Sequence, residues 1–240
     1  MLGIFLIVIT IGLAHFLFAS FGFGNVIVAL PLLSLFWNIK LAVPVLVILS
    51  VIGAVQIIIS DKCTIEWKSL INILIPASLG LPLGIFIYAI GTPRVLEKIL
   101  GLVIAFYVLK ELIIEKEINL SRHKIIGALF SFLGGVAEGA IGTGGPFMVL
   151  ASKNVTNTKE VFRSTLLLVW IILGLIWFFN YVFLVKGPVI PVAIPVMVSL
   201  PVVVFTQRMG SRFYHRLSQD MFSKLVNLLL LLTGILLLFR

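Results

Sequence analysis

The chain has 240 residues, of which 61% are hydrophobic and only 11% are charged, whereas a soluble domain carries about 25% charged residues. Residues 1–39 contain no Asp, Glu, Lys or Arg, and several later uncharged runs reach the roughly 20 residues that a helix needs to cross a bilayer. This composition excludes a water-soluble enzyme and predicts an all-α polytopic membrane protein. The net charge of +9 lies in short connections, so it indicates topology and headgroup contact, and no nucleic-acid binding.

Hydropathy predicts long membrane segments and, between them, shorter apolar pieces. The long segments are 2–21, 41–60, 69–91, 93–114, 164–185, 187–207 and 219–239, and the short pieces are 25–37, 125–137 and 140–151. The short pieces cannot cross a bilayer as ordinary helices. Each lies beside a glycine cluster, at residues 22–25 in the first half and at 134–135 and 142–146 in the second. Because glycine weakens a helix, we predict helices that are broken at these clusters.

The two halves of the sequence resemble each other at an offset of 120 residues. Toward the end of each half the offset becomes 126, because the second half has six more residues inserted. With that insertion, residues 84–113 overlay 210–239. We therefore predict two homologous transmembrane repeats, 1–114 and 123–240, joined by a charged connection at 115–122. The matching pairs are Gly22 with Gly142, Gly24 with Gly144, Leu30 with Leu150, Gly84 with Gly210, and Tyr88 with Tyr214.

The distribution of basic residues decides between parallel and inverted repeats. If each glycine cluster is the tip of a re-entrant hairpin, three helices per half cross the membrane. The connections 61–68, 110–124, 152–163 and 208–224 then share one side and carry 13 basic residues, against 5 on the other. If each hairpin is instead one broken span, the split is 10 to 8. The positive-inside rule favours the first arrangement, which makes the repeats inverted and places both termini outside the cytoplasm.

The two glycine clusters share a pattern that is found in a known family. A segment of small residues ends in a glycine cluster and continues into an apolar stretch with proline, once at 19–31 and once at 134–146. In a chain of this length the pattern resembles the TauE/SafE family of bacterial membrane permeases, often described as sulfite exporters. The resemblance covers essentially the whole chain. The sequence departs from the family at Asn25, at Pro146 and at residues 43–45, where family members tend to carry a Thr-Ser pair.

The resemblance implies a secondary transporter that exports a small anion, such as sulfite or an organosulfur acid, across the bacterial inner membrane. The alternatives are an anion channel and an intramembrane enzyme. Against an enzyme, the chain has no H-E-x-x-H and no G-x-S-x-G motif, and we expect neither catalysis nor a cofactor. The single cysteine, Cys63, excludes a multi-cysteine metal site. The expected partners are the anion and membrane lipids, with a homodimer as an open option.

An anion in hydrocarbon needs hydrogen-bond donors that replace its water. Two half-helices that begin near Asn25 and Gly145 would offer free backbone N–H groups and the positive end of the helix dipole. In inverted repeats both would aim at one point near the midplane, where a Cβ atom at Gly144 would enter the ligand's space. The alternative is that the glycines only allow close helix packing. The substrate-binding candidates are Gly22, Gly24, Asn25, Gly142, Thr143, Gly144, Gly145, Arg163, Ser164 and Thr165.

Three ionisable residues in or beside the uncharged runs have two interpretations each. Glu138 is either a proton-coupling group or a carboxylate capped by backbone N–H groups. His15 is the second proton-coupling candidate, or a hydrogen-bonded packing histidine. Arg163 either holds an oxyanion through several donors or is an interfacial positive-inside residue. Several aromatic residues are predicted to lie at the membrane interface, namely Tyr88, Tyr181, Tyr214, Trp67 and Trp177.

Overall fold

The structure, a computed structural model, describes residues 2–61, 63–96, 98–99, 102, 124–153 and 158–218, with isolated positions from 220 to 228. The helices are α1 (Leu2–Phe21), α2 (Asn25–Leu33), α3 (Ile39–Asp61), α4 (Trp67–Ile90), α5 (Lys124–Ile141), α6 (Gly145–Lys153), α7 (Lys159–Phe183) and α8 (Val189–Arg216). The predicted connection 115–122 lies outside the described residues, as do most of the predicted spans 93–114 and 219–239. The described part contains no strand, which agrees with the predicted all-α class.

Within the part of the chain that the structure describes, four helices are long and apolar enough to cross a membrane, with 23 to 28 residues each: α3, α4, α7 and α8. Helices α1 and α5 are shorter and apolar, and each ends at a glycine cluster. Large apolar side chains such as Leu79, Phe86, Met197 and Phe205 are exposed on the outer faces of α4 and α8. An outer surface of this kind suits contact with lipid and confirms a multi-pass membrane protein.

Among the helices that the structure describes, α1 to α4 and α5 to α8 follow the same order with similar lengths. Helices α1 to α4 have 20, 9, 23 and 24 residues, and α5 to α8 have 18, 9, 25 and 28. The contacts between helices are also equivalent in the two halves. The first helix of each half packs on the fourth helix of the other, α1 on α8 and α5 on α4, and the two third helices, α3 and α7, pack on each other. Helices α3 and α7 run antiparallel. Arg163 at the start of α7 contacts Asp61 at the end of α3, and Gly174 further along α7 approaches Val51.

The second glycine-rich segment, residues 134–146, contains one helix break, whereas the sequence predicted breaks at both 134–135 and 142–146. Helix α5 continues without interruption to Ile141, so the predicted boundary between pieces 125–137 and 140–151 is wrong. The chain turns at residues 142–144, and Met148 of α6 then lies against Gly134 of α5. Helix α6 therefore folds back along α5, and the two helices form a hairpin.

The glycines inside α5 are packing residues for α4. Gly139 of α5 lies against Gly84 of α4, and Gly135 lies against the backbone of Ala77. Gly80 lies against the backbone of α5 at Phe132 and Val136, so each helix presents two glycines four residues apart to the other. A Cβ atom on Gly84 would lie 2.7 Å from the Cα atom of Gly139. Small residues at this spacing let two membrane helices approach closely. The close approach compensates for the low helix propensity of glycine, which explains why residues 134–135 stay helical.

Replacing Gly84 with alanine should therefore force α4 and α5 apart. We expect Gly84→Ala to destabilise the protein by about 1–3 kcal/mol, the usual range for an overpacked core. The measurement is the thermal unfolding midpoint of the detergent-solubilised protein. Gly127→Ala is the matched control, because a Cβ atom at Gly127 in α5 meets nothing within 4 Å. Equal midpoints for the two variants would contradict the packing role.

Candidate functional site

The two helix breaks begin with glycines of the same backbone conformation, at positions 120 residues apart. Gly22 has a φ of 81° and Gly142 a φ of 69°, a left-handed conformation that glycine adopts without strain. The N–H of Gly22 donates to the carbonyl oxygen of Phe18 at 2.7 Å, and the N–H of Gly142 donates to that of Glu138 at 2.8 Å. Three residues later, at Asn25 and Gly145, α2 and α6 begin. The glycines at these positions thus end one helix and let the next begin within three residues.

Both breaks face one small, partly open cavity. Its lining includes four pairs of residues that are 120 positions apart in the sequence, so the cavity lies where equivalent parts of the two halves meet. In each pair, the two residues have different side-chain chemistry. The pairs are Phe18 with Glu138, Phe23 with Thr143, Asn25 with Gly145, and Ser50 with Trp170.

The polar members of these pairs are held in place by hydrogen bonds. The Nδ2 atom of Asn25, at the start of α2, donates to Oγ of Ser50 at 2.5 Å. The Ser50 hydroxyl donates in turn to the carbonyl oxygen of Leu46 at 2.7 Å. On the other side, Oε2 of Glu138 accepts a hydrogen bond from the N–H of Gly144 at 2.9 Å. The cavity therefore holds an amide, hydroxyl groups and one buried carboxylate.

Two tryptophans of α7 bind backbone carbonyl groups beside the breaks. Nε1 of Trp170 donates to the carbonyl oxygen of Gly22 at 2.7 Å, and Nε1 of Trp177 donates to that of Gly139 at 2.9 Å. The two residues are seven positions apart, which is two helical turns, so they share one face of α7. Sequence reasoning missed Trp170 and Ser50, although the spacing of the two tryptophans was a signal that could have indicated a shared role.

The structure brings part of the predicted site together. Six of the twelve candidate residues line the cavity: Gly24, Asn25, Glu138, Gly142, Thr143 and Gly145. Gly22 lies behind the lining, where its backbone packs on Arg163. A Cβ atom at Gly144 would meet the backbone of Gly134 and not the cavity, so the expected steric role of Gly144 toward a ligand is wrong.

Arg163, Ser164 and Thr165 do not line the cavity. The Arg163 guanidinium, which is 2% exposed, pairs with Asp61 at 2.7 Å and donates to the carbonyl oxygen of Ala19 at 2.5 Å. It also donates to Oγ of Ser211 at 2.9 Å. Ser164 donates to the carbonyl oxygen of Glu160, and Thr165 is buried. In this structure the Arg163 guanidinium connects the ends of α1, α3 and α8.

The other candidates for special roles are buried in the helix packing. His15 lies outside the cavity lining, and its Nδ1 donates to the carbonyl oxygen of Ile11 at 2.9 Å. Trp177, Tyr181 and Tyr88 are buried and contact one another, so their rings pack between helices and not against lipid. Tyr214 is also buried, under the Arg163 guanidinium, whereas Trp67 is 64% exposed, as expected. Among the described residues, no cluster of His, Cys, Asp or Glu side chains could hold a metal ion.

Comparison with known proteins relates both halves of the chain to one family. A family model described as "Sulfite exporter TauE/SafE" matches residues 6–237. No curated protein and no solved structure matches the chain. The matched range includes both breaks, every residue that lines the cavity, and Arg163 with its partners.

The hydrogen bond from Trp170 to Gly22 should contribute measurably to stability. Trp170→Phe keeps an aromatic ring but leaves a buried carbonyl group without its donor, which costs about 1–3 kcal/mol. We expect a lower thermal unfolding midpoint for this variant in detergent. Trp67→Phe, at an exposed position, is the control and should unfold as the unmodified protein does. A Trp170→Phe variant that is as stable as this control would show that the bond does not hold the break.

Proposed function

Because the chain belongs to the TauE/SafE sulfite exporter family, we propose that it is a secondary transporter that exports a small anion, such as sulfite or an organosulfur acid, across the bacterial inner membrane. Members of this family are membrane transporters and not enzymes. The observation that supports the proposed site is the cavity between the two glycine breaks, lined by residues of both halves.

The chemistry of the cavity suits an anion that has an apolar part. The Asn25 amide, the Thr143 hydroxyl and the first turn of α2 offer hydrogen-bond donors, and the dipole of α2 is positive at this end. Phe18, Phe23 and Trp170 line the same space and would contact a sulfur atom or a short alkyl group. No lysine or arginine is present among the described lining residues. Binding by dipoles alone leaves the anion free to dissociate, as transport requires.

The packing of the helices supports inverted repeats around this site. Helices α3 and α7 hold the same place in the two halves and run antiparallel, as inversion requires. Asp61, Arg163 and Ser211 form one hydrogen-bonded cluster, which brings together three of the four connections that share the basic side in the charge count. We propose that this end faces the cytoplasm.

The opposite end of the bundle is closed by a different set of contacts. The hydroxyl of Tyr88 donates to the carbonyl oxygen of Lys40 at 2.7 Å, and the hydroxyl of Tyr181 donates to that of Pro188 at 3.3 Å. Tyr181 is 120 positions from Asp61, so equivalent positions carry the closing contacts at the two ends. In the proposed mechanism, one half rocks against the other, opening the ionic end and the aromatic end in turn.

Flux into proteoliposomes is the experiment that tests this function. Sulfite, thiosulfate, methanesulfonate and acetate should be compared with and without a pH gradient. A transporter gives flux that saturates with anion concentration and is selective among these anions, whereas a channel gives flux that does not saturate in the same range. Absence of flux for every sulfur-containing anion would contradict the proposed substrate class.

Filling the cavity should abolish transport without unfolding the protein. A Cβ atom at Gly145 would lie 3.4 Å from Cδ1 of Ile27 and 3.7 Å from Cδ2 of Phe23, so the backbone accepts a side chain there. We expect Gly145→Val to occupy the anion's space and to exclude donors worth about 1.5–3 kcal/mol, a roughly tenfold to hundredfold loss of affinity. Gly127→Val, remote from the cavity, should transport normally. Normal flux in the Gly145→Val variant would show that the anion binds elsewhere.

The proposed topology places Lys68 in the cytoplasm and Lys186 outside. Both side chains are exposed, and they lie in connections at opposite ends of the bundle. In a Cys63→Ser background, Lys68→Cys should react with an impermeant maleimide only after the cells are opened, and Lys186→Cys should react in intact cells. The background protein without an added cysteine is the control. Labelling of both positions from the same side would contradict inverted repeats.

A further inference from the structure

We infer that Glu138 is an internal ligand of the second break: its carboxylate takes the place of the transported anion at the N–H of Gly144, and the anion displaces it only when the carboxyl group gains a proton. This inference rests on the proposed function, since it describes how the same site is loaded. It predicts that one proton enters the site with each anion.

The position of Glu138 supports this role. The side chain is 5% exposed, it lines the cavity, and its Oε2 atom lies 2.9 Å from the Gly144 nitrogen. Gly144 is the residue directly before α6, where the helix dipole favours negative charge. An oxygen atom of an anion bound at this break would use the same N–H group, so the carboxylate and the anion compete for one donor.

The first break has no carboxylate at the equivalent position. The equivalent of Glu138 there is Phe18, which lines the cavity but whose side chain has no hydrogen-bond acceptor. Gly24, the residue before α2, has no side chain that could cap the helix. No carboxylate therefore reaches the first break from the position that serves the second. Of two breaks that each begin with a glycine at positive φ, one already holds a carboxylate and the other does not.

The surroundings of Glu138 offer no compensating charge among the described residues. Across the cavity, α1, α2, α3 and α7 present Phe18, Asn25, Ser50 and Trp170, none of which titrates in the neutral range. Helix α4 faces this part of α5 with Leu81, Gly84 and Ile85, and α6 faces it with Gly144. The nearest titratable side chain along α1, His15, lies outside the lining and binds Ile11. An ionised carboxylate and a bound anion would therefore repel each other without screening.

Protonation of the Glu138 carboxylate removes this repulsion. The carboxylate takes one proton from the solution on the side where the anion enters, and it becomes a neutral carboxylic acid. It then no longer competes as an anion for the Gly144 N–H, which donates to an oxygen of the substrate. When the substrate leaves, the carboxyl group releases its proton to the side where the substrate is released. The carboxylate then accepts the hydrogen bond of the Gly144 N–H again. One proton and one anion thus move together.

Binding at different pH values tests the inference. The probes are methanesulfonate and thiosulfate, because their charges are constant across the neutral range, whereas the charge of sulfite is not. For the unmodified protein, Kd should rise about tenfold per pH unit on the alkaline side of the Glu138 titration, because binding takes up one proton. Glu138→Gln should give a Kd that does not change with pH. Glu160→Gln, an exposed carboxylate outside the cavity, is the matched control and should keep the slope.

A second measurement needs no variant. Adding methanesulfonate to weakly buffered protein that contains a pH indicator should show uptake of one proton per bound anion. A Kd of the unmodified protein that is independent of pH, binding without proton uptake, or an unchanged slope in Glu138→Gln would each overturn the inference. Failure of all proteins to bind either probe would instead contradict the proposed function, so the two failures are distinguishable.

Discussion

A helix that ends inside a membrane leaves backbone N–H and C=O groups without partners, and hydrocarbon supplies none. This constraint governs the structure, because the chain breaks a helix twice and must satisfy the exposed groups from within. The indole of Trp170 binds the carbonyl group of Gly22, and Glu138 binds the N–H of Gly144. The first of these bonds crosses between the halves, so a break in one half is stable only when the other half packs against it.

The ionic cluster at one end has a related function. Arg163 binds the carbonyl oxygen of Ala19, three residues before Gly22, as well as the Asp61 carboxylate. A buried ion pair contributes little net stability, because desolvation offsets much of the attraction. Its geometric effect is larger: one guanidinium fixes the ends of α1, α3, α7 and α8 relative to the first break. The position of the cavity wall therefore depends on contacts outside the cavity.

Local signals in the sequence predicted much of this arrangement. Uncharged runs predict the helices, and a glycine that needs a positive φ, such as Gly22 or Gly142, marks a break that no other residue forms easily. The erroneous break at 134–135 shows the limit of this signal. Glycine in a membrane helix serves either a turn or close packing, and only the presence of Gly80 and Gly84 on the facing helix decides between them. For the same reason Trp170 was missed, since its partner lies 148 positions away.

The equivalent positions around the cavity show how an asymmetric site arises between two similar halves. Two identical halves would surround the cavity with matched groups, and an anion would meet the same groups from both directions. In this chain each lining pair has diverged: phenylalanine stands opposite glutamate and threonine, and tryptophan opposite serine. The polar members and the apolar members together give the cavity both donors and apolar contact surface. An oxyanion with an alkyl group would use both, whereas a halide would use only the donors. Under the proposed function, the divergence of the pairs therefore favours an oxyanion with an apolar part over a simple halide.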